Sequence, residues 1–252
     1  MPNSTEKPAE KRRALVTGAA GTLGIAVAKA LLARGMRVAL VDVNEARLAE
    51  VAAALGPEAR AFAFDLSDAE AVELGWKGLV ADFGEVDVLV NNAGILTTNK
   101  LEATSPEEWR RVMDVNLNGV FYLTRLAVPA MKRRGWGRII NTSSLAAKTG
   151  GITAGTAYST SKGALIAFTF TLAAELAAFG ITVNGIAPAY VRTPMVTEQL
   201  SEEQRAAVLA KIPVGRYCEP EEFAHVVNFL VDELAGFITG EIIDQNGGLH
   251  FD

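Results

Sequence analysis

Short apolar runs alternate with longer stretches of helical periodicity along almost the whole chain. Residues 13–17 (RALVT), 37–41 (RVALV), 60–64, 86–90 (VDVLV), 138–142 (RIINT), 182–187 and 241–244 (EIID) have the length and composition of strands. Residues 24–34 place Ile25, Ala28, Leu31 and Leu32 on one helical face, and Gly35 ends that helix. Further helices are predicted over 45–55 and 68–83, from near Pro106 and Leu117, and over 157–179, 193–212 and 219–231. Strands that are nearly all apolar need cover on both faces. Strand–helix alternation with right-handed crossovers then makes the sheet parallel. The pattern predicts a single doubly wound α/β domain with about seven parallel strands over residues 13–252, preceded by a flexible polar tail over residues 1–12.

Composition narrows the chemistry. The 252 residues carry 24 Lys and Arg against 29 Asp and Glu, a formal charge of −5, which argues against a protein held to nucleic acid by phosphate contacts. Cys218 is the lone cysteine, so it forms no intrachain disulfide and no multi-cysteine metal site. His225 and His250 lie far apart without metal-ligand spacing, so no metal is expected. No secretory signal pattern and no long membrane-spanning run is read from the sequence, so a soluble cytoplasmic protein without a membrane partner is expected.

In a doubly wound sheet, ligands sit beyond the carboxyl ends of the strands. After the first strand comes TGAAGTLG, residues 17–24, a turn of small residues leading into a helix. Such a turn brings backbone N–H groups to a pyrophosphate at a helix N-terminus, although a tight turn alone would look the same. Asp42, 24 residues after Gly18, closes the second strand. A carboxylate there accepts hydrogen bonds from ribose hydroxyls and repels a 2′-phosphate, which favours NAD; helix capping is the alternative. Asp65 and Leu66 follow the third strand and suit either an adenine contact or a helix start. Asn91, Asn92, Ala93 and Gly94 follow the fourth, where Asn side chains can tie strand ends together. Tyr158 and Lys162 stand four apart on a predicted helix, so an ammonium lies beside a phenol and can lower its pKa. Upstream, Ser143 and Ser144 close the fifth strand, where a hydroxyl can hold a substrate oxygen; the second is the better placed.

These motifs, with Asn116 in DVNLNG and Pro188 in NGIAPAYVRTPM, resemble the short-chain dehydrogenase/reductase family over roughly residues 13–249. The resemblance implies a Rossmann-type fold and an Asn116-Ser144-Tyr158-Lys162 tetrad. Tyr158 would be the general acid/base, and Ser144 would orient the substrate oxygen. Lys162 would bind the nicotinamide ribose, and Asn116 would hold a proton-relay water. It also implies cofactor contacts at Gly18, Thr22, Leu23, Gly24, Asp42, Asp65, Leu66, Asn92, Ala93, Gly94, Tyr158, Lys162, Pro188, Val191 and Thr193. Three positions depart from the family pattern. Thr22 replaces the middle glycine of the turn, Ala189 replaces the glycine after Pro188, and one extra residue lies between Ser144 and Tyr158.

The substrate wall is expected to include Ser144, Ile95, Leu96, Ala146, Ile152, Thr153 and Tyr190, under a lid of residues 193–212. Lys148, Arg192 and Lys211 could meet an anionic group, but read more simply as solvated charges. The expected activity is hydride transfer between NAD(H) and a secondary alcohol or ketone, such as a sugar, polyol, hydroxy acid or cyclic alcohol. The alternative is an NADPH-dependent 3-oxoacyl-[acyl-carrier-protein] reductase. A noncatalytic dinucleotide sensor is disfavoured because all four tetrad members are present. A homotetramer is expected, with a dimer possible, through the helices over 117–133 and 157–179 and the segment 241–252.

Overall fold

The computed structural model describes residues 11–194 and 201–251. Seven strands form one parallel sheet in the order β3-β2-β1-β4-β5-β6-β7. They are β1 (Arg13–Thr17), β2 (Arg37–Asp42), β3 (Ala59–Ala63), β4 (Val88–Asn91), β5 (Gly137–Thr142), β6 (Ile181–Pro188) and β7 (Ile242–Gln245). The helices are α1 (Thr22–Ala33), α2 (Glu45–Leu55), α3 (Ala69–Phe83), α4 (Pro106–Met113), α5 (Gly119–Arg134), α6 (Ala146–Thr149), α7 (Thr156–Leu176), α8 (Glu202–Leu209) and α9 (Pro220–Leu230).

The sheet is buried on both faces, as continuous apolar strands require. On one side, Val16, Val38, Leu40 and Val90 pack with Val27 and Leu31 of α1 and Phe223 and Val227 of α9. On the other, Leu15, Val41 and Leu89 pack with Leu79 of α3 and Leu123 and Met131 of α5. Each such fully buried aliphatic side chain contributes about 1.5–3 kcal/mol of transfer free energy. β3 alone presents much of its surface to solvent, because it closes one sheet edge.

Element boundaries move where side chains cap them. α1 begins at Thr22, two residues before the predicted start, with Gly21 as its N-cap. Asp68 caps α3 by accepting from the N–H groups of Glu70 and Ala71 at 2.8 and 3.1 Å, so it precedes the helix. The predicted 193–212 helix is a shorter α8 at 202–209, and residues 195–200 of it lie outside the described residues. The tail expected over 1–12 lies outside them up to residue 10, but Lys11 and Arg12 are held. Lys11 pairs with Glu58 at 2.8 Å, and Arg12 stacks on Trp136 while pairing with Glu233. α7 with its following turn, Thr156–Phe179, is long and apolar enough by composition to cross a membrane, which the sequence reading had not found. Here its Leu165, Ala173 and Leu176 are buried.

Strand order reverses between β1 and β4, which leave the sheet centre in opposite directions. A crevice opens at this switch point beyond the strand ends, and every sequence motif singled out above lies along it.

Candidate active site

The first turn is shaped by close approach. Gly18 has φ +64°, and a Cβ on it would stand 2.9 Å from Ala93 Cα. A Cβ on Gly24 would stand 2.3 Å from the Gly18 carbonyl oxygen. Both positions therefore require glycine. Thr22 does not, because it takes the first helical position and no described non-glycine residue has positive φ. The missing middle glycine leaves the turn intact.

Thr17 stitches the turn to the end of β4. Its Oγ1 accepts from the N–H groups of Asn92 and Ala93, both at 2.9 Å, and Asn92 Nδ2 donates to the Thr17 carbonyl at 2.9 Å. Asn91 ties β4 to β5 by donating to Asn141 Oδ1 at 2.9 Å. These bonds hold Ala93 and Gly94 flat along the crevice floor.

Asp42 lies at one end of this crevice. Its carboxylate accepts from Ala20 N at 3.0 Å and Asn44 N at 3.0 Å. It does not cap α2; Asn44 does, by accepting from Arg47 N. Gly18, Asp42, Asp65, Leu66, Ala93, Gly94 and Ile95 line the same hollow. Asp65 is likewise not the cap of α3. It accepts from Ser67 N and Oγ, both at 2.8 Å, in a tight local turn. Arg111 also lines this hollow, a cation that sequence reasoning missed because α4 lies far from the turn in the chain.

Towards the other end, Leu23, Asn92, Gly94, Ser144, Tyr158, Lys162, Pro188, Ala189, Val191 and Thr193 surround a second hollow. The Lys162 ammonium is buried and donates to the Thr142 carbonyl at 2.7 Å, leaving two of its three protons for a ligand. Burial lowers its pKa to about 8. A Cβ on Gly94 would stand 3.2 Å from Lys162 Nζ, so glycine keeps this approach open. Burial raises the Tyr158 pKa, and the hydrogen bond to Ser144 opposes that rise in part. This differs from the lowered phenol pKa expected from the sequence. Lys162 Nζ lies 5.8 Å from the Tyr158 ring centre, and burial is the dominant influence on the phenol.

Ser143 and Ser144 point to different tasks. Ser143 is buried and donates to the Lys162 carbonyl at 2.9 Å, which anchors α7 to β5. Ser144 faces the cavity beside Tyr158. Asn116 sits in a π-helical turn, Asp114–Asn118, between α4 and α5, where Gly119 N–H reaches back five residues to Asp114. Such turns often mark functional positions. The Asn116 amide is held by three bonds: Oδ1 accepts from Ile95 N at 2.8 Å, and Nδ2 donates to Ile95 O and Ser161 Oγ, each at 3.0 Å.

A cavity of about 130 Å³ opens from Ser144 and Tyr158 between Leu96, Leu145, Ile152, Thr153, Ala154 and Tyr190. Ile95 was expected on this wall but is not there. Its backbone is pinned to Asn116, and it lines the Asp42 end of the crevice instead. The extra residue before Tyr158 falls in a loop where Gly150 and Gly151 both have positive φ, +75° and +74°. Lys148 is engaged with Asp244 at 2.7 Å and Arg192 with Glu219 at 2.9 Å.

Sequence reasoning missed Lys100, whose ammonium donates to the carbonyls of Gly151 and Ala154 at 2.8 and 2.7 Å. Gly155 N and Thr156 N bond Thr97 O and Asn99 O across the same seam. Partners some fifty residues apart leave no local signal. Lys100→Met should therefore loosen the cavity wall, raising KM for substrate about tenfold with kcat changed less. Lys100→Arg should restore most of the loss. Steady-state kinetics checks this.

The family model described as Enoyl-(Acyl carrier protein) reductase matches residues 18–250. The 3-oxoacyl-[acyl-carrier-protein] reductase FabG of Salmonella typhimurium is 39% identical over 242 residues, covering 96% of this chain and 98% of that one. The chain belongs to the short-chain dehydrogenase/reductase family. Nodulation protein G of Azospirillum brasilense is 43% identical over 246 residues, covering 94% and 98% of the two chains. The crystal structure of a 3-ketoacyl-(acyl-carrier-protein) reductase from Brucella melitensis, complexed with NADH, superposes with a TM-score of 0.89 at 33% identity, covering 97% of this chain and 100% of that one. As a member of this family, the chain is an oxidoreductase that uses a nicotinamide cofactor.

Proposed function

We propose that the protein reduces the ketone of a 3-oxoacyl thioester with NADH, the substrate class given above as the alternative, in place of a sugar, polyol, hydroxy acid or cyclic alcohol. The observation that carries the substrate class is the lining of the catalytic cavity. Leu96, Leu145, Ala146, Ile152 and Ala154 make it mainly apolar; its polar groups are hydroxyls, those of Thr98, Thr149, Thr153 and Tyr190 beside Ser144 and Tyr158, with no charged or amide side chain among its named walls, which suits an alkyl ketone better than a polyol. The reductase names of the similar proteins agree with this reading. Asp42, at the far end of the crevice, supports NADH over NADPH by charge repulsion of a 2′-phosphate.

The crevice fits a dinucleotide: the close-packed glycine turn ends at the N-terminus of α1, and Gly94 carries no side chain beside Lys162 Nζ. When bound, the cofactor supplies the hydride. Lys162, with two N–H donors left beyond its bond to Thr142, would hold the cofactor's ribose. Ser144 donates to the substrate ketone oxygen and holds it beside Tyr158. Tyr158 then transfers its phenolic proton to that oxygen as the alcohol forms. A raised pKa suits this role, because the phenol stays protonated throughout the neutral range. Asn116, its amide bonded to Ile95 and Ser161, stands across Gly94 from Lys162 and in this reading holds the relay water that returns a proton towards it.

The pH limit of reduction is then set by Lys162. Below about 8 the ammonium is charged; above it the charge is lost. The kcat/KM for NADH, which reports the free enzyme, should hold level below pH 8 and fall as pH rises past it, and Lys162→Arg should remove that inflection. The function itself is tested by following NADH absorbance with 3-oxobutanoyl thioesters against a panel of sugars, polyols and hydroxy acids. Turnover confined to the second group would refute it.

The homotetramer expected from the sequence is also part of the proposal. Phe121 of α5 and Phe170 of α7 are exposed, and so are Leu234, Phe237 and Phe251 flanking β7, the second sheet edge. Apolar area of this kind marks contact surfaces. Light scattering at micromolar concentration should give four times the chain mass; a monomer would count against it.

A further inference from the structure

A second cavity, of about 190 Å³, lies beside the catalytic one and shares two residues with it, Ala189 and Tyr190. Ala189 is fixed by its N–H to the Gln245 carbonyl at 3.0 Å, so the movable part of the boundary is the Tyr190 side chain. On the catalytic side, the Tyr190 hydroxyl stands 3.4 Å from Thr153 Oγ1, a long contact across the cavity wall. Behind it, the ring packs on Val208, Ile212 and Tyr217 beneath the end of α8. The second cavity carries no uncompensated charge among its named walls. Arg216 pairs in bidentate fashion with Glu222 at 2.6 and 2.7 Å, and burial pushes the Cys218 thiol up to about 11, so it stays neutral. Ile212, Val214 and Cys218 make up its apolar side.

We propose that Tyr190 is a length gate: its ring closes the catalytic cavity against a second cavity, whose one ion pair is Arg216–Glu222 and whose apolar side would otherwise receive the distal part of the substrate's alkyl chain. This rests on the 3-oxoacyl reading above for its substrate but not for its geometry, since any ketone held by Ser144 and Tyr158 projects an alkyl arm into the same cavity. With the ring in place, a short arm fills the space between Leu96, Ile152 and Tyr190. Without it, the two cavities join, and additional methylenes find apolar contacts at Ile212 and Val214.

The test compares the intact protein with Tyr190→Ala and Tyr190→Phe, using 3-oxobutanoyl and 3-oxodecanoyl thioesters with NADH. The ratio of kcat/KM for the long over the short substrate should rise at least about tenfold in Tyr190→Ala and stay near the native value in Tyr190→Phe, which keeps the ring. Adding Val214→Trp to Tyr190→Ala refills the second cavity and should cancel the gain. An unchanged ratio in Tyr190→Ala, with native thermal stability and NADH binding, overturns the gate. The same ratio is read with 2-butanone and 2-decanone, both as substrates and by calorimetric titration of the NADH-bound protein, which needs no turnover. If Tyr190→Ala is unstable, Tyr190→Leu takes its place in every arm, with the same expected direction. A native protein that ignores both thioesters refutes the proposed function, and the ketone titrations still decide the gate.

Discussion

Tyr158→Phe should lower kcat for reduction by about 10²- to 10⁴-fold while leaving NADH binding and thermal stability close to native. The substitution removes one hydroxyl and keeps the ring, so the packing of α7 is retained. What is lost is the proton donor, held in its neutral form by burial and joined to Ser144 by a hydrogen bond. Lys162 cannot take over. Its ammonium donates to the Thr142 carbonyl, and it does not line the cavity that opens from Ser144 and Tyr158 between Leu96 and Tyr190. Single-turnover kinetics with cofactor fluorescence separates binding from chemistry, and a variant with an undiminished chemical step would remove Tyr158 from the proton-transfer role.

Asp42→Ser should lower the ratio of kcat/KM with NADH to that with NADPH by about 100-fold. The Coulomb repulsion between a carboxylate and one charge at 4 Å is about 4 kcal/mol at an effective dielectric of 20, and solvent at this half-open site screens part of it. The carboxylate is not free to swing away. One oxygen accepts from Ala20 N and the other from Asn44 N, so it is held facing the hollow between Gly18 and Leu66. Loss of both bonds will cost some stability, and a thermal melt run beside the kinetics separates that loss from the cofactor preference. An unaltered ratio would show that cofactor choice lies elsewhere, with Arg111 the next residue to examine in the same hollow.

Much of the site could be read from local sequence because it is built on local rules. A small-residue turn between strand and helix, an acid at the end of β2 and a Tyr–Lys pair one helical turn apart each have a fixed geometric meaning. Ile95 shows where that reasoning stops. Its position just after Gly94 suggested the substrate wall, but two backbone bonds to Asn116 turn it towards the Asp42 end. One side of the cavity beside Tyr158 is assembled from segments some fifty residues apart, joined by Lys100, and no periodicity encodes such a seam.

The sequence by itself determined the parallel α/β architecture, the position of the crevice and the identity of the groups that could move a proton. Strand burial and helix periodicity are properties of short segments, and the carboxyl-end rule converts them into a place. Only the tertiary structure decided how those groups behave. The phenol pKa rises because desolvation at Tyr158 exceeds the opposing effect of the hydrogen bond to Ser144. The Lys162 pKa falls to about 8 because its ammonium is buried. Two neighbouring cavities share Ala189 and Tyr190 as a common boundary. Burial and cavity shape depend on the packing of distant segments against one another, and that packing exists only once the chain has folded.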